Sequence, residues 1–261
     1  MSNYNLYRGD CLEVMKQIAD KSIDCILCDL PYGSTHCTWD ILIPFDKLWD
    51  QYDRIAKKNA AIVLFGTEPF SSYLRLSNIK NYRYDLIWEK ESITNFMQVK
   101  RRFGKSTELI SIFYKSQPTY NPQMVHYAGK PVIVKPSDKS NQSLTTVDSK
   151  DFRVKPYEDT GLRYPRDILR FNRVSKYSTL HPTQKPVPLL EYLIKSFTNE
   201  GDLVLDNCMG SGSTGVACIN TNRNFIGIEL DSNYYHIASD RIREAFYASQ
   251  GTDSETSEVL S

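Results

Sequence analysis

Two hydrophobic rhythms alternate along the chain. Short runs of consecutive apolar residues fit strands buried on both faces. Between them, apolar residues return every three or four positions, as on amphipathic helices. Asn5–Tyr7, Ser22–Asp29, Ala60–Phe65, Tyr84–Trp88, Leu109–Tyr114, Asp202–Leu205 and Asn224–Glu229 read as strands. Helices are expected around Leu12, Met15 and Ile18, then over Phe45–Lys57, Phe70–Leu76, Val187–Thr198, Ser213–Asn220 and Ser232–Tyr247. Strands that alternate with helices predict an α/β fold, doubly wound, around a mostly parallel seven-stranded sheet.

The rhythm fails from Ser116 to Thr179, where Pro, Ser, Asn, Lys and Tyr dominate. A structureless loop of that length does not suit a compact domain, so 116–179 reads as an inserted subdomain. Residues 1–115 and 180–250 then form the main domain. The acidic, small-residue end, 251–261, is expected to be disordered.

Composition adds constraints. The 261 residues are 41% hydrophobic and 24% charged, as in a globular protein. No apolar run approaches the roughly 20 residues of a membrane span. The start, MSNYNLYRGD, lacks the basic and apolar regions of a secretory signal, so a cytoplasmic location is expected. Cys25 and Cys28 form C-x-x-C, but inside an apolar strand pattern. They read as buried thiols rather than a metal or redox pair.

The formal net charge of +1 conceals a split. Arg75 to Lys176 hold 20 Lys and Arg against 10 Asp and Glu, whereas the remainder holds 12 against 21. Such a split fits a basic face for a polyanion partner, or else an unevenly charged solvated surface.

Two stretches carry candidate chemistry. LVLDNCMGSGSTG is a strand, an acid and a glycine turn before a helix. Gly210, Gly212 and Gly215 match the G-x-G-x-x-G spacing of dinucleotide folds. Glu229 closes the next strand, where a carboxylate suits two ribose hydroxyls. Asp206 changes the expected ligand: it would repel a pyrophosphate and attract an ammonium. That favours S-adenosylmethionine (SAM) over NAD. Asp29-Leu30-Pro31-Tyr32 follows a strand and should emerge at its C-terminal edge. An acid, a backbone carbonyl, a proline that fixes φ and an aromatic ring suit a planar base bearing an exocyclic amine. Alone, this tetrapeptide also fits an ordinary proline turn.

Together these stretches resemble the amino-methylating, SAM-dependent DNA methyltransferases of the β arrangement. Asp29-Leu30-Pro31-Tyr32 resembles that family's D-P-P-Y target motif. The stretch from Asp206 to Thr214 resembles its SAM loop, and HPTQKP from His181 to Pro186 its third element. The resemblance covers most of the chain outside 116–179. It implies a Rossmann-like catalytic domain with a small target-recognition insert, and methyl transfer to adenine N6 in double-stranded DNA by base flipping. Cytosine N4 is the nearest alternative; a non-catalytic SAM- and DNA-binding protein and a nicotinamide oxidoreductase are others.

By the same resemblance, Asp29, Leu30, Pro31 and Tyr32 are the catalytic set. Asp10, Cys11, Asp29, His181, Thr183, Lys185, Asp206, Cys208, Gly210, Ser211, Gly212, Thr214, Glu229 and Leu230 serve SAM, and no metal is expected. Leu30 departs from the family's proline, but its expected contribution is a carbonyl that any residue has. Lys100, Arg101, Arg102 and Lys105, with Arg163, Arg166, Arg170 and Arg173, are candidates for DNA contacts. A bacterial or phage enzyme, monomeric or homodimeric, fits this reading, with a cognate restriction endonuclease as partner in a restriction-modification pair.

Overall fold

The computed structural model describes residues 2–33, 41–126, 133–134, 157–158, 161–175, 180 and 184–255. In chain order the elements are β1 (Tyr4–Arg8), α1 (Cys11–Met15), β2 (Ile23–Cys28), α2 (Phe45–Ile55), β3 (Ala56–Gly66), α3 (Phe70–Ser77), β4 (Tyr82–Glu89) and β5 (Thr107–Phe113). Then come β6 (Val125–His126), β7 (Ile133–Val134), β8 (Tyr157–Glu158), β9 (Leu162–Arg163) and β10 (Ile168–Arg170). The last are α4 (Val187–Phe197), β11 (Leu203–Asp206), α5 (Ser213–Asn220), β12 (Asn224–Glu229) and α6 (Ser232–Glu255).

One unit holds 1–121 and 166–261. Its sheet has eight strands in the order β1-β12-β11-β2-β3-β5-β4-β10. The pairs from β1 to β3 are parallel, and β5 is antiparallel to both its neighbours. The predicted seven-stranded count is corrected by β10, which pairs parallel with β4 through Leu169 and Trp88. With only Ile168, Leu169 and Arg170, this edge strand is too short to show a period. The Trp88 indole N–H donates to the Phe171 carbonyl (2.8 Å) and fixes it.

Residue alternation on β2 explains the layers. Cys25 and Leu27 face the core of α4, α5 and α6, whereas Ile26 and Cys28 face the core of α1, α2 and α3. The C-x-x-C thiols thus lie on opposite faces of the sheet, where they cannot share a metal. On α2, Leu48, Trp49, Tyr52 and Ile55 make the buried stripe. The first helix is shorter than its pattern: it stops at Met15, and Ile18 is buried from the turn that follows.

The second unit, Pro122–Pro165, contains two antiparallel strand pairs, β6 with β9 and β7 with β8. It is narrower than the 116–179 read from sequence, because the chain from Arg166 already belongs to the first unit. At the C-terminus α6 continues through Glu255, past the 251 expected as the start of a disordered tail; 256–261 lie outside the described residues. Among the described residues, no helix is long and apolar enough to cross a membrane.

Candidate active site

Register places the two motif loops side by side. β11 pairs with β2 through Val204–Cys25 and Leu205–Ile26. Both strands run the same way, so Asp206 and Asp29 leave the sheet at the same edge. Parallel α/β sheets place ligands at the C-terminal ends of their strands. A cavity of about 350 Å³ opens there. Asp10, Cys11, Asp29, Leu30, Pro31, Tyr32, Lys185, Asp206, Cys208, Gly210, Ser211, Thr214, Glu229 and Leu230 all line it.

Glu229 is buried at the end of β12, and both its oxygens accept backbone N–H groups. Oε2 takes Gly210 and Oε1 takes Asp231, each at 2.8 Å. Burial pushes its pKa up, against those hydrogen bonds. The carboxylate thus closes the glycine loop from the cavity wall. Asp10 caps α1 by accepting from Leu12 N–H (2.8 Å) and Glu13 N–H (3.3 Å).

Asp206 is 3% exposed. It accepts from Cys208 N–H (3.1 Å) and the Thr214 hydroxyl (2.6 Å). Neither donor is charged, and burial pushes the carboxyl up to about 6. Such a group favours a cation in the cavity. The nearby Cys11 and Cys28 thiols are raised as well, Cys11 first by its hydrogen bond with Cys208 and Cys28 first by burial, so they stay protonated.

Gly212 has a packing role beside the one expected of it. It is absent from the cavity wall and holds φ +78° at the N-terminus of α5. A Cβ there would stand 2.9 Å from the Ala238 Cβ and 3.0 Å from its Cα. The residue therefore lets α5 approach α6. Arg241 of α6 pins the same loop by donating to the Ser211 carbonyl and to its hydroxyl (3.1 Å).

On the Asp29 side lies a charge network that the motifs do not announce. Tyr32 donates its hydroxyl to Asp29 Oδ1 (2.6 Å) and lies 3.2 Å from Glu108 Oε1. Lys185 Nζ donates to Asp29 Oδ2 and pairs with Glu108 Oε1 at 3.0 Å. Lys90 Nζ holds Glu108 Oε2 at 2.7 Å. Two carboxylates and two ammonium groups balance.

Burial draws the Lys185 pKa down, but Asp29 and Glu108 outweigh it and hold the ammonium above its usual range. Burial pushes Glu108 up, but Lys185 and Lys90 hold it below the usual carboxylate range. For Asp29 burial wins: with Glu108 nearby its pKa is raised, although Lys185 opposes the shift. Tyr32 is pushed well up by burial and stays a neutral donor. Its ring packs on Phe70, centroids 4.8 Å apart.

Leu30 is buried in the core beside α1, α2 and α3, so its side chain anchors the loop. Sequence reading missed Glu108, whose only signal is one acid heading the apolar run LISIF. It also missed Tyr52, whose hydroxyl meets Asn207 Oδ1 at 2.5 Å from a helical core stripe. His181 and Thr183 lie outside the described residues.

The basic candidates divide. Lys100, Arg101, Arg102 and Arg166 are exposed, whereas Lys105 is half-buried. Arg170 pairs with Glu89 (2.6 Å), and Arg173 donates to Ser92 Oγ (2.6 Å) and flanks Glu91. These two hold β10 and the chain after it against β4. Arg163 is exposed in the second unit.

The sequence matches the model of a DNA methylase family, that of the N6/N4 methyltransferases, over residues 23–240. The chain belongs to that family. It is 27% identical over 259 residues to the DNA adenine methyltransferase YhdJ of Escherichia coli K12, covering 94% of this chain and 84% of that protein. With the type II methyltransferase M2.MboI of Moraxella bovis it shares 28% over 262 residues, covering 93% and 88%. The solved complex of M1.HpyAVI with SAM superposes with a TM-score of 0.62 at 25% identity, covering 92% and 98%. The PvuII methyltransferase, titled cytosine-N4-specific, shares the fold with a TM-score of 0.66 at 16% identity, covering 95% and 93%.

Proposed function

We propose that this DNA methyltransferase transfers a methyl group from SAM to adenine N6 at specific sites in double-stranded DNA. The observation that carries this reading is the junction of β2 and β11. It brings the Asp29 and Asp206 carboxylates to one edge of the sheet, on a cavity that Glu229 also lines.

The residues fit the cofactor. Glu229 offers lone pairs for ribose hydroxyls, Asp10 and Cys11 line the cavity near it, and the uncompensated Asp206 suits the ammonium of the amino-acid tail. SAM supplies a methyl group on a sulfonium, so its leaving group departs neutral. The protein's part is to position the amine. Asp29 accepts one N–H, and the Leu30 carbonyl is assigned the other. Lys185 opposes the upward shift that burial imposes on Asp29, and Tyr32 orients it while offering a ring beside the base. Because a stacked amine is out of reach, the target nucleotide leaves the duplex. The insert is assigned to target recognition, and Lys100, Arg101 and Arg102 to phosphate contacts.

Asp at position 29 favours adenine, and the YhdJ name agrees with that choice. The test is nucleoside mass spectrometry after incubation with SAM and unmethylated duplex. N6-methyladenosine is the expected product. N4-methylcytosine would keep the mechanism and change the base, and no methylated nucleoside would reject the reading.

A further inference from the structure

We infer that the tip of the β4–β5 hairpin enters duplex DNA and that Phe103 fills the space left by the displaced base. This rests on the proposed function above and assigns the step that precedes methyl transfer to an element outside the cavity.

Three large apolar side chains crowd this tip. Phe103 is 97% exposed, Met97 85% and Phe96 65%. Single exposed hydrophobics are ordinary, but a cluster marks a contact surface. Lys100, Arg101 and Arg102 are interleaved with them and exposed. Cations around an apolar wedge complement a polyanion with a stacked interior: phosphates take the charges, and a flat ring replaces a base.

The tip is a built structure. Thr94 N–H donates to the Lys105 carbonyl (2.8 Å), and Lys105 N–H to Asn95 Oδ1 (2.6 Å). The same Asn95 side chain donates to the Phe103 carbonyl (3.1 Å). Arg101 and Arg102 N–H groups converge on the Gln98 carbonyl at 2.8 and 3.0 Å. A Cβ on Gly104 would stand 2.7 Å from Ile93 Cγ2, so the turn closes tightly beside Phe103. The folded backbone thus holds the apolar side chains outward.

The stem is rooted in the site. Lys90 N–H donates to the Ser106 carbonyl (2.7 Å), and the Lys90 ammonium holds Glu108 of the Asp29 network. Phe103 lies five residues from Glu108, so the Cα–Cα reach is at most about 18 Å. One element therefore carries both the wedge and a support of the amine-holding pocket.

The test uses the 261-residue chain, F103A, F103W and the triple variant K100A/R101A/R102A. Duplexes carry a site mapped with the wild-type protein, with the target base either paired or mispaired. F103A should lower kcat/KM on the paired duplex by about tenfold or more and much less on the mispaired one, where unstacking is already favoured. SAM affinity should hold, F103W should restore most activity, and 2-aminopurine at the target position should brighten less with F103A than with wild type. The triple variant should instead weaken binding to both duplexes and flatten its salt dependence. Equal losses on the two duplexes, or F103A activity within about twofold of wild type on the paired duplex, would overturn the wedge. A change of oligomeric state in sedimentation would overturn it too, by assigning the tip to contact between copies. If wild type yields no methylated site in the mapping step, the enzyme reading falls and the wedge with it.

Discussion

Lys185 donates its ammonium to Asp29, a carboxylate 156 positions earlier in the chain, while also pairing with Glu108. One buried cation therefore separates two acids that would otherwise face each other. Replacing it by an apolar side chain, Lys185→Met, should lower unfolding free energy by about 3–5 kcal/mol in urea titrations. Adding Glu108→Gln should recover part of that loss, because the second charge goes with it. Strict additivity of the two changes would reject the network as a coupled unit.

Asp29→Ala should leave SAM affinity within about threefold and reduce methyl transfer by about 100-fold or more, the scale of a lost transition-state hydrogen bond. Calorimetry measures the first and single-turnover methylation the second. Lys185 keeps Glu108 as a partner, so the variant should fold. Substantial turnover would remove Asp29 from the catalytic set.

Binding should depend on pH through Asp206. Its carboxyl titrates at about 6 in the free protein because it is buried. A cationic ligand favours the ionised form, so protonation opposes binding. Affinity for SAM should be full above about pH 7 and fall as pH drops through 6, approaching tenfold per unit. Calorimetry across pH 5 to 8 checks this; Asp206→Asn should bind more weakly and flatten the profile. A wild-type profile without the fall would mean that no cation approaches Asp206.

Gly212→Ala separates packing from binding. The new Cβ would press on the Ala238 backbone at a left-handed φ. A loss of about 1–3 kcal/mol in stability is expected from that strain. SAM affinity of the folded fraction should change little, because Gly212 does not line the cavity. A collapse of affinity with unchanged stability would return Gly212 to the ligand set.

The strands of the central sheet were legible because runs such as AAIVLF are apolar on both faces, a pattern few loops share. β10 was not, because three residues beside arginines carry no rhythm. The motif residues announced themselves by chemistry that loops rarely assemble, an acid with Pro and Tyr or an acid with three glycines. Glu108 and Lys90 did not. Their meaning comes from β5 running antiparallel beside β4, and a lone acid in a strand gives no hint of its partners. Gly212 shows the reverse: a glycine in a ligand motif that serves helix packing.

Strand order also constrains how the protein is made. β1 and β2 are consecutive in sequence, yet β12 and β11 stand between them. A ribosome that has released everything before Leu203 has produced β1 and β2 with an open slot in the sheet. Each strand then exposes unpaired backbone edges that invite pairing with other chains. The slot closes only when Leu203–Glu229 arrives. Nonsense truncation or premature release should therefore yield aggregating fragments rather than a partly active enzyme, and chaperone dependence should be greatest for nascent chains that end just short of β11.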